Sequence, residues 1–143
     1  GNTAAGEFFG KMLGKKMAAG ALWSDIDMII PVPLHWAREW KRGYNQAELL
    51  AKVLGKELKL PVYCDVVKRC KNTKPLKMLN PEERLNNLKK AFLIMQNDVK
   101  LKTIIVVDDI FTTGATLDAV ARAFKGAGVK NVYSLTVAVG NGL

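Results

Sequence analysis

The sequence is poor in the residues that build metal clusters and cross-links: it holds one histidine, His35, and two cysteines, Cys64 and Cys70, among 143 residues. Two thiols at that spacing form neither a disulfide framework nor a zinc pair, so reduced cysteines are expected. No apolar run approaches the roughly 20 residues that span a bilayer, and the N-terminus lacks the pattern of a signal peptide. A cytoplasmic protein with no membrane association is the expectation. Acidic residues are scarce as well, since 13 Asp and Glu face 22 Lys and Arg, which gives a net charge of +9 and a pI near 9.7. That excess favours anionic partners, a phosphorylated small molecule or nucleic acid, without choosing between them. No glycine is followed by the Lys-Ser/Thr pair of a Walker loop, which removes that class of nucleotide site.

What the chain does have is enough apolar material, 49% of its residues, for one core. A single domain over residues 1–143 is expected, with an N-terminal helical segment at 1–27 and a core at 28–143. Ala4 to Leu22 has a helical period, with Phe9, Met12, Leu13 and Met17 on one face. Its glycines Gly6, Gly10 and Gly14 leave room for close packing against another helix or a second subunit, which keeps a homodimer open. Met28 to Leu34 is an apolar strand running into prolines, and Asn45 to Leu58 a helix with Ala47, Leu50, Ala51, Leu54 and Leu58 along one stripe. Pro61 to Val67 and Ala91 to Met95 read as further strands, the second joined to the strand after it by a polar turn at Gln96 to Lys100, whose length suits a hairpin or a tight connection. Lys68 to Lys77 carries five basic residues and no acid and reads as a loop, and Asn80-Pro81-Glu82-Glu83 starts a helix. Leu117, Val120, Ala121 and Phe124 mark a later helix capped at Gly128, and Val132 to Val139 is the last strand. Strands alternating with helices give an α/β fold, an open and mainly parallel sheet flanked by helices.

Ile104 to Thr116 organises the rest: I-I-V-V-D-D-I-F-T-T-G-A-T is a buried strand followed directly by a helix start. A helix N-terminus presents unpaired N–H groups and partial positive charge, and the small side chains of Thr112, Thr113, Gly114, Ala115 and Thr116 let an anion come close. Asp108 and Asp109 stand beside that turn, where two carboxylates can accept hydrogen bonds from vicinal hydroxyls. A phosphate and a diol together describe a ribose 5-phosphate. A plain surface turn whose Asp caps the helix is the competing explanation, and a receiver-type acceptor Asp is another, although such pairs end an early strand.

V-V-D-D-I-F-T-T-G-A-T resembles the phosphoribosyl diphosphate (PRPP) motif of the type I phosphoribosyltransferases. That resemblance implies that Asp108 and Asp109 bind the ribose hydroxyls, and reach Mg²⁺ indirectly through ribose or water, while Thr112 to Thr116 wrap the 5-phosphate. P-V-P-L-H-W with R-G-Y-N-Q-A, and T-K-P-L-K-M-L-N-P-E-E-R-L-N-N-L-K-K-A-F, are similar to the competence-associated ComF branch of the family. By that likeness Arg38, Lys41 and Arg42 face the pyrophosphate, and a closing loop brings Lys74, Lys77 or Arg84 over it. Leu76 stands where the branch often has Gln. Members typically carry a four-cysteine zinc module before the domain, which these residues do not include, and the hood that recognises the acceptor is expected to be reduced. The implied activity is transfer of the phosphoribosyl group of PRPP to a nitrogen acceptor, with release of pyrophosphate. The alternative is a PRPP sensor or a protein handling single-stranded DNA, in which the basic stretches and Trp36, Trp40 and Tyr44 bind strands by charge and stacking. His35 remains a weak candidate for proton transfer.

Overall fold

The computed structural model describes residues 11–12, 15–16, 22–33, 44–69, 80–83, 91–95, 99–111 and 114–139. After a 3-10 turn at Leu22–Asp25, their elements are β1 (Met28–Pro31), α1 (Gln46–Leu58), β2 (Val67–Arg69), β3 (Phe92–Ile94), β4 (Thr103–Phe111), α2 (Ala115–Gly126) and β5 (Asn131–Val139). The parallel strands β1, β4 and β5 lie in that order, with Met28 opposite Ile104 and Thr103 opposite Asn131. β2 and β3 form a separate antiparallel pair.

The run Thr103–Val107 is apolar on both sides because the sheet is covered on both. Ile104 and Val106 pack with Leu117, Val120 and Phe124 of α2 and with Val67 and Phe92 of the β2–β3 pair. Ile105 and Val107 pack with Leu50, Ala51 and Leu54 of α1. Alternation along the strand thus sends even-numbered residues toward α2 and odd-numbered ones toward α1.

Both helices end and begin where their sequences direct. Asn45 caps α1 by accepting the Ala47 N–H on Oδ1 at 3.0 Å. Past the end of α2, the Gly128 N–H donates to the Lys125 carbonyl and the Val129 N–H to the Phe124 carbonyl, a Schellman motif with Gly128 at φ 90°. Asn80 and Glu83 form a reciprocal capping box at 2.8 and 3.0 Å, so the helix start expected there is present.

Three expectations need correction. Pro61 to Val67 is not a continuous strand: Val62 alone bridges β1 in parallel, while the Pro61 carbonyl and Tyr63 N–H bond Ile29 at 2.9 and 3.0 Å. Residues 64–66 then bend away from the sheet, and pairing resumes only at Val67. Lys68 and Arg69, read as loop, belong to β2, because β3 supplies their ladder partners Leu93 and Phe92. Of the hairpin or tight connection expected across Gln96 to Lys100, β3 does not form the hairpin with β4. Its partner is β2, and Leu101, with φ 64°, turns the chain into β4 instead.

The N-terminal helix is described only at 11–12 and 15–16, which are helical. Ile29, Val62 and Leu60 crowd against Gly55 of α1, where a Cβ would stand 2.4 Å from Val62 Cγ2 and 2.9 Å from the Leu60 carbonyl oxygen. No helix among the described residues is long and apolar enough to cross a membrane.

Candidate functional site

The chain leaves β1 in one direction and β4 in the other. From β1 it runs through α1 to Val62, on the outer edge of β1; from β4 it runs through α2 to β5, on the opposite side. The winding therefore reverses between β1 and β4, and a crevice at the carboxyl ends of the strands is the place where α/β sheets of this kind hold ligands.

β1 stops at this crevice while β4 continues. The Val32 N–H donates to the Val107 carbonyl at 2.8 Å, and past that bond β4 is paired, among the described residues, with β5 alone, Asp108 opposite Thr136 and Phe111 opposite Val139. The acid pair was expected at the strand's end, yet the strand runs on to Phe111. The β5 ladder satisfies its backbone regardless of side-chain polarity. Asp108 and Asp109 consequently lie inside a strand but beyond its neighbour β1, half-buried on the wall of the crevice.

Their Cβ atoms leave opposite faces of the sheet, Asp108 toward α2 and Asp109 toward α1, and the Asp108 carboxylate turns back to the backbone of its neighbour. The Asp109 N–H donates to Asp108 Oδ1 at 2.8 Å. Burial, together with hydrogen bonding to the Asp109 side chain and its negative charge, pushes the Asp108 carboxyl from its usual 3.8 up to about 7. The Asp109 N–H and the Arg69 guanidinium pull the other way. A cation or hydroxyl donors beside Asp108 would stabilise its ionised form.

Gly114 opens α2 at φ 79°, a left-handed conformation that glycine adopts freely, and it offers no side chain to cap the helix. The Asp118 N–H closes the first turn on the Gly114 carbonyl at 2.9 Å. Gly114, Ala115 and Thr116 thus stand where the sequence puts them, at a helix N-terminus just past the acid pair, and all three are partly exposed. On the opposite wall, Asn45 Nδ2 donates to the Val32 carbonyl at 3.1 Å, tying the start of α1 to the end of β1.

The sequence-derived site residues Arg38, Lys41, Arg42, Lys74, Lys77, Arg84, Thr112 and Thr113 lie outside the described residues, as do His35 and Leu76. Asn45, read as the start of the helix, caps it as its residue type directs. Arg69, whose charge acts on Asp108, was hidden within a basic stretch. No group of three or more His, Cys, Asp or Glu suited to a metal ion occurs among the described residues.

Comparison with known proteins points the same way. The family pattern of the phosphoribosyl transferase domain matches residues 41–142. The competence protein F of Haemophilus influenzae is 39% identical over 108 residues, 74% of this chain and 47% of that protein. The DNA utilization protein YhgH of Escherichia coli is 34% identical over 111 residues, 76% of this chain and 48% of that protein. The chain thus spans about half the length of these curated relatives. Among solved structures, the glutamine phosphoribosylpyrophosphate amidotransferase of Bacillus subtilis superposes with a TM-score of 0.65 at 17% identity, covering 94% of this chain and 26% of that one. At that identity the likeness concerns the fold.

Proposed function

The chain belongs to the phosphoribosyl transferase domain family, in its competence protein F branch, and from that premise we propose that the crevice binds PRPP and transfers its phosphoribosyl group to a nitrogen acceptor. The observation that carries this reading is the acid pair Asp108–Asp109, set at the winding reversal and followed by a helix that opens on a positive-φ glycine. Residues 1–143 act as one domain in this reading. Thr112, Thr113, Gly114, Ala115 and Thr116 hold the 5-phosphate on backbone N–H groups and hydroxyls. Asp108 and Asp109 accept the ribose hydroxyls and orient the sugar, with C1 exposed to the acceptor. Arg38, Lys41 and Arg42, with Lys74, Lys77 and Arg84, balance the departing pyrophosphate.

No cage of three or more His, Cys, Asp or Glu occurs among the described residues, and a pair of hard carboxylates suits Mg²⁺, which keeps several waters and would be reached by Asp108 and Asp109 through ribose or water. When bound with PRPP, that ion supplies charge neutralisation of the diphosphate. The nitrogen lone pair forms the new bond to C1 as the C1–oxygen bond to pyrophosphate breaks, with inversion and no covalent enzyme intermediate.

Calorimetric titration of PRPP with Mg²⁺ into the chain, beside the doubly substituted Asp108→Asn/Asp109→Asn variant, tests the pocket. Pyrophosphate release with pooled bases and amines then tests transfer. PRPP binding indifferent to loss of both carboxylates would overturn the reading, and binding without release would leave a sensor.

A second reading has its own support in the net charge of +9 and in the relatives named for competence and DNA utilization. An accessory protein for single-stranded DNA binds oligonucleotides with steep salt dependence. No binding at low salt removes it.

A further inference from the structure

We infer that the outer edge of β5 is a docking surface for a second copy of this chain, two β5 strands pairing antiparallel across a twofold axis to make one six-stranded sheet. The inference goes beyond the phosphoribosyl reading and does not depend on it.

β5 ends the order β1-β4-β5, so one of its edges meets no strand among the described residues. The ladder on its other side decides which groups that edge offers. The Asp27 and Val32 N–H groups donate to the Thr103 and Val107 carbonyls, each at 2.8 Å, so the odd-numbered residues of β4 turn their peptide groups toward β1. The even-numbered ones serve β5, and with Ile104 opposite Val132 a parallel ladder engages the odd-numbered residues of β5. Val132, Ser134 and Thr136 are left with N–H and carbonyl groups directed outward, and Ser134 is exposed.

Nothing in the sequence of the strand blunts this edge. Asn131–Val139 runs for nine residues, N-V-Y-S-L-T-V-A-V, without a charge or a proline, in a chain of which 24% is charged. Edges that must stay unpaired carry such residues or are kept short.

The choice of a second copy comes from the symmetry of the strand about Leu135. When the outward groups exchange hydrogen bonds, Ser134 meets Thr136 of the second copy, Leu135 meets Leu135, and Tyr133 meets Val137. Hydroxyls then oppose hydroxyls on the face toward α2. On the other face Tyr133, Leu135 and Val137, partly exposed at the margin of the α1 core, oppose apolar side chains. Lys130 falls opposite Gly140, so no like charges confront each other. A strand of unrelated sequence would find the backbone groups but would match neither face, whereas this isologous contact closes after two copies. Each copy carries +9, so the bodies repel at long range while the contact itself is uncharged. Added salt therefore strengthens the association, the reverse of its effect on nucleic-acid binding.

Sedimentation equilibrium over about 1 to 100 µM, at low and high salt, tests the contact in the wild-type chain, Ser134→Lys and Ser134→Pro. The wild type is expected to dimerise, more tightly at high salt. Ser134→Lys sets two lysines diagonally across the axis and is expected to weaken the dimer about tenfold or more. Ser134→Pro removes an outward N–H and is expected to be monomeric; thermal melts check that both are folded, and the Lys variant carries the test if the Pro variant is not. The register is read in a Cys64→Ser/Cys70→Ser background with oxidised glutathione. Leu135→Cys should form a linked dimer, because a non-hydrogen-bonded antiparallel pair sets its Cα atoms about 4.5 Å apart, within reach of a disulfide. Tyr133→Cys, opposite Val137 rather than itself, should not. A wild-type chain that stays monomeric throughout overturns the inference. So does a dimer indifferent to both Ser134 variants, or linkage through Tyr133→Cys but not Leu135→Cys.

Discussion

The backbone N–H of Asp109 donates to the carboxylate of Asp108 at 2.8 Å, so the Asp108 side chain folds back onto its neighbour's backbone although the two side chains start on opposite faces of β4. Burial first, and then the neighbouring Asp109 side chain, raises the Asp108 carboxyl to about 7 against the opposing pull of that N–H.

Stability therefore depends on pH in a definite direction. The folded chain keeps a proton on Asp108 that the unfolded chain releases near pH 4, so this contribution is full below about pH 4, falls as pH rises, and is gone above about 7. Asp108→Asn, which is neutral at every pH, is expected to be more stable than wild type at pH 8 by about 1–2 kcal/mol after allowance for solvent screening. The difference should shrink toward pH 5. Thermal melts of both proteins at the two pH values check this, and a gap independent of pH would contradict it.

Asn45 joins α1 to β1 with both ends of its amide, and only 8% of the residue is exposed. Asn45→Ala removes the cap and leaves the Val32 carbonyl without its side-chain donor, an expected loss of about 2 kcal/mol. Asn45→Asp keeps the cap and loses the donor, and is expected to fall between in urea denaturation.

Gly114 sits at φ 79°, where an L-residue is strained. Gly114→Ala should lower stability by about 1–2 kcal/mol and weaken PRPP by more than that strain alone predicts, because the first turn of α2 shifts. Parallel melting and titration separate the two effects.

Gly55 has no room for a side chain. Gly55→Ala is expected to cost about 1–3 kcal/mol, since the new carbon meets both Val62 and the Leu60 carbonyl. In the Val62→Ala background part of that loss should return, and a double-mutant cycle by denaturant unfolding measures it.

Much of this was legible in the sequence where local chemistry and fold agree. β4, the turn and α2 were readable because an unbroken apolar run, small residues and a 3.6-residue period succeed one another within Thr103–Gly126. Asn80, Asn45 and Gly128 announced helix ends through their own side chains or backbone freedom. Ala91 to Met95 was readable as a strand and holds β3, but its pairing with β2 was not: β2 is a three-residue strand with almost no periodicity, and Val67 finds Ile94 across a long stretch of chain. Pro61 to Val67 looked like a strand by composition, but only a bridge at Val62 was available on the edge of β1. Arg69 was hidden for the same reason, since its position depends on Phe92 rather than on its neighbours in sequence.

The β2–β3 pair is joined to the parallel sheet through the side chains of Val67 and Phe92, with no shared ladder among the described residues. Its detachment would break apolar contacts but no sheet hydrogen bonds, so it forms a natural unit of sub-global opening. In native-state hydrogen exchange, the amides of β2 and β3 should lose protection together and earlier than those of β4.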